Sequence, residues 1–247
     1  MLDELFYRIF ESLPRQGPGD PGSTRRALSL LPGLADDLAI LDLGCGSGAQ
    51  TLDLAWVTRG TILAVDNHQP FLDMLAARMA VEGLAGRVKV MNADLGQLNL
   101  PSRSFDLVWC EGAAFVLGFA ESISSWKGFL KPGGCMAMSE LAWLTDTPPQ
   151  EARDYMDQVY PAITGMEGNL EIIRSLGGED LGHFVLPEAA WWDAYYTPME
   201  MRLSAFAEKY RDDGKAMELI RHLQQEIEMY RKYPDAYGYV FYVAQFA

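Results

Sequence analysis

AILDLGCGSGAQTLDLAWV, residues 39–57, decides how the rest of the chain is read. An apolar run, Ala39 to Leu43, meets three glycines within five positions, and the apolar residues of TLDLAWV then recur at helical spacing. Strand, tight turn, helix is the expectation. Small residues in such a turn let the backbone approach a ligand and expose the first amide groups of the helix, which favour a polar or anionic group. The loop Gly44-Cys45-Gly46-Ser47-Gly48 is therefore a candidate cradle for a nucleoside-bearing molecule.

The same unit repeats downstream. TILAVD (Thr61 to Asp66) predicts a second strand, Pro70 to Glu82 a helix, RVKVMNAD (Arg87 to Asp94) a third strand and SFDLVWCEG (Ser104 to Gly112) a fourth. A helix near Ser122 to Leu130 stops at Lys131-Pro132-Gly133-Gly134, and CMAMSEL (Cys135 to Leu141) supplies a fifth strand. Strands alternating with helices imply an α/β fold with a mostly parallel sheet and helices on both faces. Around this core, residues 39–141, lie a helical N-terminal arm (1–38), a mostly helical insert (142–235) and a closing β-rich segment (236–247). The arm begins with the amphipathic MLDELFYRIFESL, continues through a Gly/Pro-rich loop from Arg15 to Thr24, and enters a helix capped by Ser23 or Thr24 that runs to about Leu31. A short sixth strand is expected at His183 to Leu186, and AYGYVFYVAQF (Ala236 to Phe246) reads as a final strand at a sheet edge. All of this fits one domain.

Totals narrow the function. Among 247 residues, Lys plus Arg number 20 against 34 Asp plus Glu, a formal charge of −14 that repels a phosphate backbone. The densest basic stretch, Arg221 to Lys232, is diluted by Glu226 and Glu228 on what reads as a solvated helix face. Nucleic acid is not an expected partner. Three scattered cysteines form neither a disulfide framework nor a metal-ligand pair, so no metal is expected and a reducing, cytoplasmic setting fits. No targeting segment or membrane-length apolar run is recognised.

Which nucleoside is a sharper question, because Gly44, Gly46 and Ala49 also satisfy the dinucleotide pattern of a nicotinamide-dependent oxidoreductase. Asp66, about twenty residues after the loop, is placed to accept from both ribose hydroxyls of either ligand. Three features favour S-adenosylmethionine (SAM). Asp42 puts a carboxylate beside the loop, which suits a cationic amino group and repels a pyrophosphate. The fingerprint follows a long helical arm, whereas dinucleotide domains usually open with that strand. Asn92-Ala93-Asp94 ends the third strand with a carboxylate able to accept from an adenine amine. A catalytically silent SAM-binding regulatory protein remains a third reading.

DLGCGSG, Asp66, the Asn-Ala-Asp at strand three, FDLVWCEG and the LKPGG turn resemble, in order and spacing, the class I SAM-dependent methyltransferases. Within that class the chain is similar to small-molecule methyltransferases of the ubiquinone/menaquinone-biosynthesis-like kind, including bacterial members of unassigned substrate whose RQGPG loop it shares. The resemblance implies a Rossmann-like seven-stranded sheet whose last strand is antiparallel, SAM as cofactor and a small-molecule methyl acceptor, in a monomer or homodimer. It further implies that Gly44, Gly46 and Gly48 approach the methionine moiety, that Asp66 holds the ribose with Asn67 at its edge, and that Asp94 and Leu95 frame the adenine. Glu111 and Gly112 would border the methyl group, with Arg15 and Gln16 folded over the cofactor. The strand-four loop, Cys110-Glu111-Gly112-Ala113, lacks the Asp/Asn-Pro-Pro-aromatic motif of amino-directed DNA methyltransferases.

Methyl transfer needs a nucleophile aligned with the departing sulfur about 3 Å from the methyl carbon, and a base only where the nucleophile carries a proton. Glu111 and Glu140, at predicted strand ends, are the candidate bases. Of the histidines, His68 is expected near the cofactor rim, His183 in packing or hydrogen bonding, and His222 on the surface. The late aromatics, among them Trp143, Tyr155, Tyr160, Trp191, Trp192, Tyr195 and Tyr196, are either core between insert and sheet or a lid over an apolar acceptor.

Overall fold

A computed structural model describes residues 2–33 and 37–247, with the backbone alone at residues 2 and 3. The core follows the expected rhythm: β1 (Ala39–Leu43), α3 (Ala49–Val57), β2 (Thr61–Asp66), α4 (Gln69–Val81), β3 (Val88–Asn92), β4 (Phe105–Glu111), α5 (Phe119–Trp126) and β5 (Leu130–Trp143). Ahead of it stand α1 (Leu2–Phe10) and α2 (Pro21–Ser29). After it come α6 (Gln150–Val159), a two-residue β6 (Thr164–Gly165), α7 (Met166–Ser175) and β7 (Gly178–Val185). A short α8 (Ala189–Trp191) passes through a π-helical turn, Trp192–Tyr196, into α9 (Thr197–Lys209), and α10 (Gly214–Lys232) leads to β8 (Tyr237–Phe246).

The sheet runs β3-β2-β1-β4-β5-β8-β7, with β6 beside the end of β5. β3, β2, β1, β4 and β5 are mutually parallel, whereas β8 runs antiparallel to both β5 and β7. Because the chain leaves β1 towards β2 and returns to β4 on its other side, the strand order reverses between β1 and β4. In an open α/β sheet that switch point is where the carboxyl ends of the strands leave a crevice.

Alternation decides the layers. Ile40, Leu107, Trp109, Ala137, Phe241 and Val243 face one way, under α2, α3 and α4. Leu41, Leu43, Val108, Cys110, Met136, Met138 and Tyr242 face the other, under α5 and α7. A third apolar cluster, beyond the carboxyl end of β5, joins α1, α6, the π-helical turn, α9 and α10 to the start of β8. The N-terminal arm is thus two packed elements: Ile9 and Phe10 of α1 enter the third cluster, and Ala27 and Leu28 of α2 lie under the sheet.

Four expectations are corrected. The closing strand is not at an edge: β8 lies between β5 and β7, and its run from Val240 to Ala244 is buried on both faces, as an interior strand requires. The edge is β7, which starts at Gly178 rather than His183; its polar first half, with Gly182 at φ 149°, carries a register shift that hides the strand signal. The cap of α2 is Asp20, whose side chain accepts from the amides of Gly22 and Ser23, with Pro21 opening the helix. The fifth strand begins at Leu130 and takes in the Lys-Pro-Gly-Gly turn, so α5 ends at Trp126 instead of Leu130. Leu34, Ala35, Asp36 and Met1, in the expected arm, lie outside the described residues.

Candidate functional site

The glycine loop forms because two of its positions admit nothing larger. Gly44 has φ 70°, and a Cβ there would lie 2.3 Å from that of Ala113; Gly48 has φ 87°, and a Cβ would lie 2.1 Å from Leu75 Cδ1. These left-handed conformations turn the chain off β1, through Gly48, into α3. Asp66, at the end of β2, ties the loop to its neighbour: Oδ2 accepts from Gly46 N and Oδ1 from His68 N, both at 2.9 Å. Burial raises its carboxyl above the usual range, and the amide bonds oppose that rise.

Asp42 lies beneath this cradle. Fully buried, it accepts from Thr51 Oγ1 at 2.5 Å and Gln50 Nε2 at 3.4 Å, on the first turns of α3. Burial, against the Thr51 bond, pushes its carboxyl up to about 7. Asp42 thus joins β1 to α3, below the face on which a ligand would rest.

The arm covers the loop. Gln16 Oε1 accepts from Ser47 N at 2.8 Å, while its Nε2 donates to the carbonyls of Phe10 and Leu13. A Cβ on Gly46 would sit 2.5 Å from the same Gln16 Oε1. Arg15 reaches the other way, into a buried ion pair with Glu111 at the end of β4, and its Nη1 is 3.9 Å from Asp53. Glu111 is fully engaged: Oε2 takes Arg15, and Oε1 accepts from Trp109 Nε1 at 2.9 Å and Thr24 Oγ1 at 3.1 Å. Its carboxylate holds arm and sheet together and has no oxygen turned to an open space.

Along the rim, Asp94 is exposed and accepts from Gly96 N at 2.8 Å, while Leu95 beside it is buried. Asn67 meets the Tyr7 hydroxyl at 3.4 Å. His68 stacks on Tyr7 at 3.8 Å between ring centroids and contacts Glu11 through Nε2 at 2.8 Å, so it joins α1 to the rim. His183 pairs with Asp180 at 3.0 Å.

Next to the loop is a cavity of about 330 Å³, bordered by Gln16 and Gly112 on the cofactor side and by aromatic residues of the insert and β8 on the other. Glu140 opens into it, accepting from Tyr160 Oη at 2.6 Å, and burial pushes its carboxyl up to about 7. Across from it stands Glu226 of α10, accepting from Tyr196 Oη at 3.0 Å and Tyr195 Oη at 3.4 Å, its carboxyl likewise raised by burial. Sequence reasoning misses Glu226 by placing Arg221 to Lys232 on a solvated face. The signal was present: Leu223, Ile227 and Tyr230 mark the inward side of α10, and Glu226 falls among them at helical spacing. His222, expected at the surface, is exposed there but borders the cavity mouth. Thr24, Trp109 and Asp53, which hold the arm, carry no local pattern that would single them out.

Among the described residues no group of His, Cys, Asp and Glu is arranged to hold a metal ion, and no helix is long and apolar enough to cross a membrane. What fits the crevice is a polar organic ligand: the Ser47 hydroxyl in the loop is buried with no partner among the described residues, and Asp66 retains lone pairs beyond its two amide bonds.

A parallel sheet that reverses order behind a glycine loop, with an antiparallel strand inserted before its far edge, is the class I SAM-dependent methyltransferase fold. The sequence agrees: residues 40–134 match the family model described as a methyltransferase domain. A sterol 24-C-methyltransferase of Neurospora crassa is 29% identical over 127 residues, covering 51% of this chain and 33% of that protein. The chain spans about a third of the length of the sterol methyltransferases it matches. Two solved structures share the fold over nearly the whole chain. A SAM-dependent methyltransferase from Geobacter sulfurreducens, in complex with S-adenosylhomocysteine, has a TM-score of 0.81 at 21% identity, covering 98% of this chain and 97% of that one. YjhP from E. coli has a TM-score of 0.84 at 20% identity, with 99% of each chain covered.

Proposed function

We propose that this chain is a SAM-dependent methyltransferase acting on a small molecule. One observation carries the reading: the glycine loop, with Asp66 opposite, stands at the switch point of the sheet directly beside an aromatic cavity, and the two share Gln16 and Gly112 as their border. A nucleoside on one side and an acceptor on the other would meet at Gly112.

In this reading Asp66 accepts from the ribose hydroxyls, Asn67 lies at the ribose edge, and Asp94 and Leu95 frame the adenine. Gly44, Cys45, Gly46 and Gly48 face the methionine moiety with backbone. Gln16 Oε1, seated on the Ser47 amide, occupies the place of an anionic oxygen and yields that donor to the methionine carboxylate. Asp42 supports the loop from below, and Arg15 with Glu111 fixes the roof. SAM supplies an activated methyl; the chain's task is to hold the acceptor in line and exclude water. Glu140 is the candidate base, because Glu111 is committed to Arg15, Thr24 and Trp109.

The S-adenosylhomocysteine complex of the Geobacter sulfurreducens protein supports the cofactor, and the sterol methyltransferases support a small-molecule acceptor. A cytoplasmic monomer or homodimer that does not act on nucleic acid completes the proposal, supported by three free thiols and a net charge of −14. Isothermal titration tests it: SAM and S-adenosylhomocysteine bind in the micromolar range or tighter, and NAD(H) gives no heat. Heat with NAD(H) alone would return the chain to the oxidoreductases. A mass-spectrometric methyl-transfer screen then separates an enzyme from a silent SAM-binding protein.

A further inference from the structure

We propose that the cavity behind Gly112 is an amine site, taking a primary or secondary amine on an apolar, ring-sized body and presenting its nitrogen as the methyl acceptor. The inference rests on the methyltransferase reading above and narrows its substrate class.

The argument starts from the charges around the cavity. Two carboxylates, Glu140 and Glu226, border it, while among the described residues no lysine or arginine does and His222 is its one basic residue. Both acids are already anchored by tyrosine hydroxyls, yet Glu226 Oε2 accepts from no described residue. Two further hydroxyls, those of Tyr155 and Tyr237, belong to residues only 7% and 2% exposed, border the same space and make no hydrogen bond among the described residues. A volume of about 330 Å³ lies at the small end of the range for ligand pockets, and nearly half of the residues in its wall are aromatic.

Three classes of ligand can be compared on this wall. An anion would face two carboxyl groups with only His222 to offset them. A neutral ring would fill the volume and shut water from Glu226 Oε2 and the tyrosine hydroxyls without replacing it, which is costly. An ammonium group supplies donors to these oxygens, restores the charged form that burial disfavours, and gains from the ring faces about it. Only the cation answers each group on the wall.

The chemistry balances. The bound ammonium gives one proton to the Glu140 carboxylate, and the nitrogen lone pair so freed forms a bond to the methyl carbon of SAM. The carbon–sulfur bond breaks with its electron pair remaining on sulfur, leaving S-adenosylhomocysteine and an N-methylated ammonium. The proton on Glu140 passes to solvent at the cavity mouth.

Calorimetry on the full chain tests the inference in two stages. S-adenosylhomocysteine is titrated first; no binding there refutes the methyltransferase reading itself. With that ligand saturating at pH 7.5, 2-phenylethylamine is compared with its neutral and anionic counterparts, 2-phenylethanol and 3-phenylpropanoate. The amine is expected to bind at least ~10-fold more tightly than either, as the loss of one charge-assisted hydrogen bond implies. Glu226→Gln should cost the amine a similar factor while leaving S-adenosylhomocysteine within about twofold. Equal or tighter binding of the alcohol or the acid, or no amine binding up to about 10 mM, would overturn the amine site while leaving the cofactor reading intact. The wild-type comparison decides the matter even where the variant does not fold.

Discussion

Replacing Arg15 by methionine asks whether the buried ion pair, beyond helix packing, fastens the arm over the glycine loop. Methionine keeps the apolar stem and removes the charge. The Arg15 and Glu111 side chains are 7% and 4% exposed, so without the guanidinium Glu111 is a buried carboxylate with only Trp109 Nε1 and Thr24 Oγ1 as donors. Stranding a charge in this way costs about 3–5 kcal/mol, or about 6–20 °C in Tm for a chain of this size. Glu111→Gln is expected to cost less, about 1–3 kcal/mol, since Arg15 keeps Asp53 at 3.9 Å as a companion. In the double variant neither member of the pair is left facing an empty place, and only Asp53 loses its more distant companion, so its loss should fall short of the summed singles by about 1–3 kcal/mol. Urea unfolding followed by tryptophan fluorescence gives all four corners of the cycle. Additivity within about 0.5 kcal/mol would refute the claim that the pair acts as a unit.

Asp66→Ala removes the acceptor for two loop amides and, in the proposed complex, for the ribose; its Kd for S-adenosylhomocysteine should rise at least ~10-fold by calorimetry, and an unchanged Kd would take Asp66 out of the site. Asp42 is raised to about 7 in the fold against an ordinary carboxyl near 3.8 when unfolded, so the folded state holds the extra proton between those values. Stability therefore falls as pH rises from about 4 to 7 and levels off above; Asp42→Asn should flatten this slope by a few kcal/mol in urea titrations across the range, and an identical slope would contradict it. Gly48→Ala forces a Cβ into Leu75 at φ 87° and should lower Tm by several degrees in thermal melts, whereas a neutral effect would show that the turn relaxes. If Glu140 takes the acceptor's proton, kcat rises through a pH near 7 to a plateau, and Glu140→Gln loses roughly 10²–10⁴-fold; a flat profile with full activity would remove it from that role.

The parallel core was legible because its strands are short, mainly apolar segments, β3 the most polar of them, set between glycine-rich turns and helical stretches, a pattern that needs no partner to be read. β8 was legible as a strand but not as an interior one. Its aromatic-rich composition suggests a half-buried edge, and only the unbroken burial from Val240 to Ala244 between β5 and β7 reveals the position. The loop and Asp66 were equally plain, being local features in strand-turn-helix context. What sequence could not give is the roof. Arg15 and Glu111 are 96 residues apart and pair through the sheet, so no spacing rule joins them, and Glu111 looks like a free acid at a strand end until that partner is known. Glu140 and Glu226 likewise become one site only when α10 joins the apolar cluster at the end of β5 and the start of β8.

Cys45, Cys110 and Cys135 are all buried, and burial pushes each thiol up, Cys135 to about 11. Since only the thiolate reacts at an appreciable rate, these sulfurs form a built-in clock for local opening. A disulfide reagent added to the folded chain should label Cys110, sealed within β4, only as fast as the central sheet comes apart, while Cys45 reports excursions of the nucleotide cradle alone. Protection of Cys45 by S-adenosylhomocysteine, measured beside an unaltered Cys110, would read occupancy of the crevice without any knowledge of the acceptor.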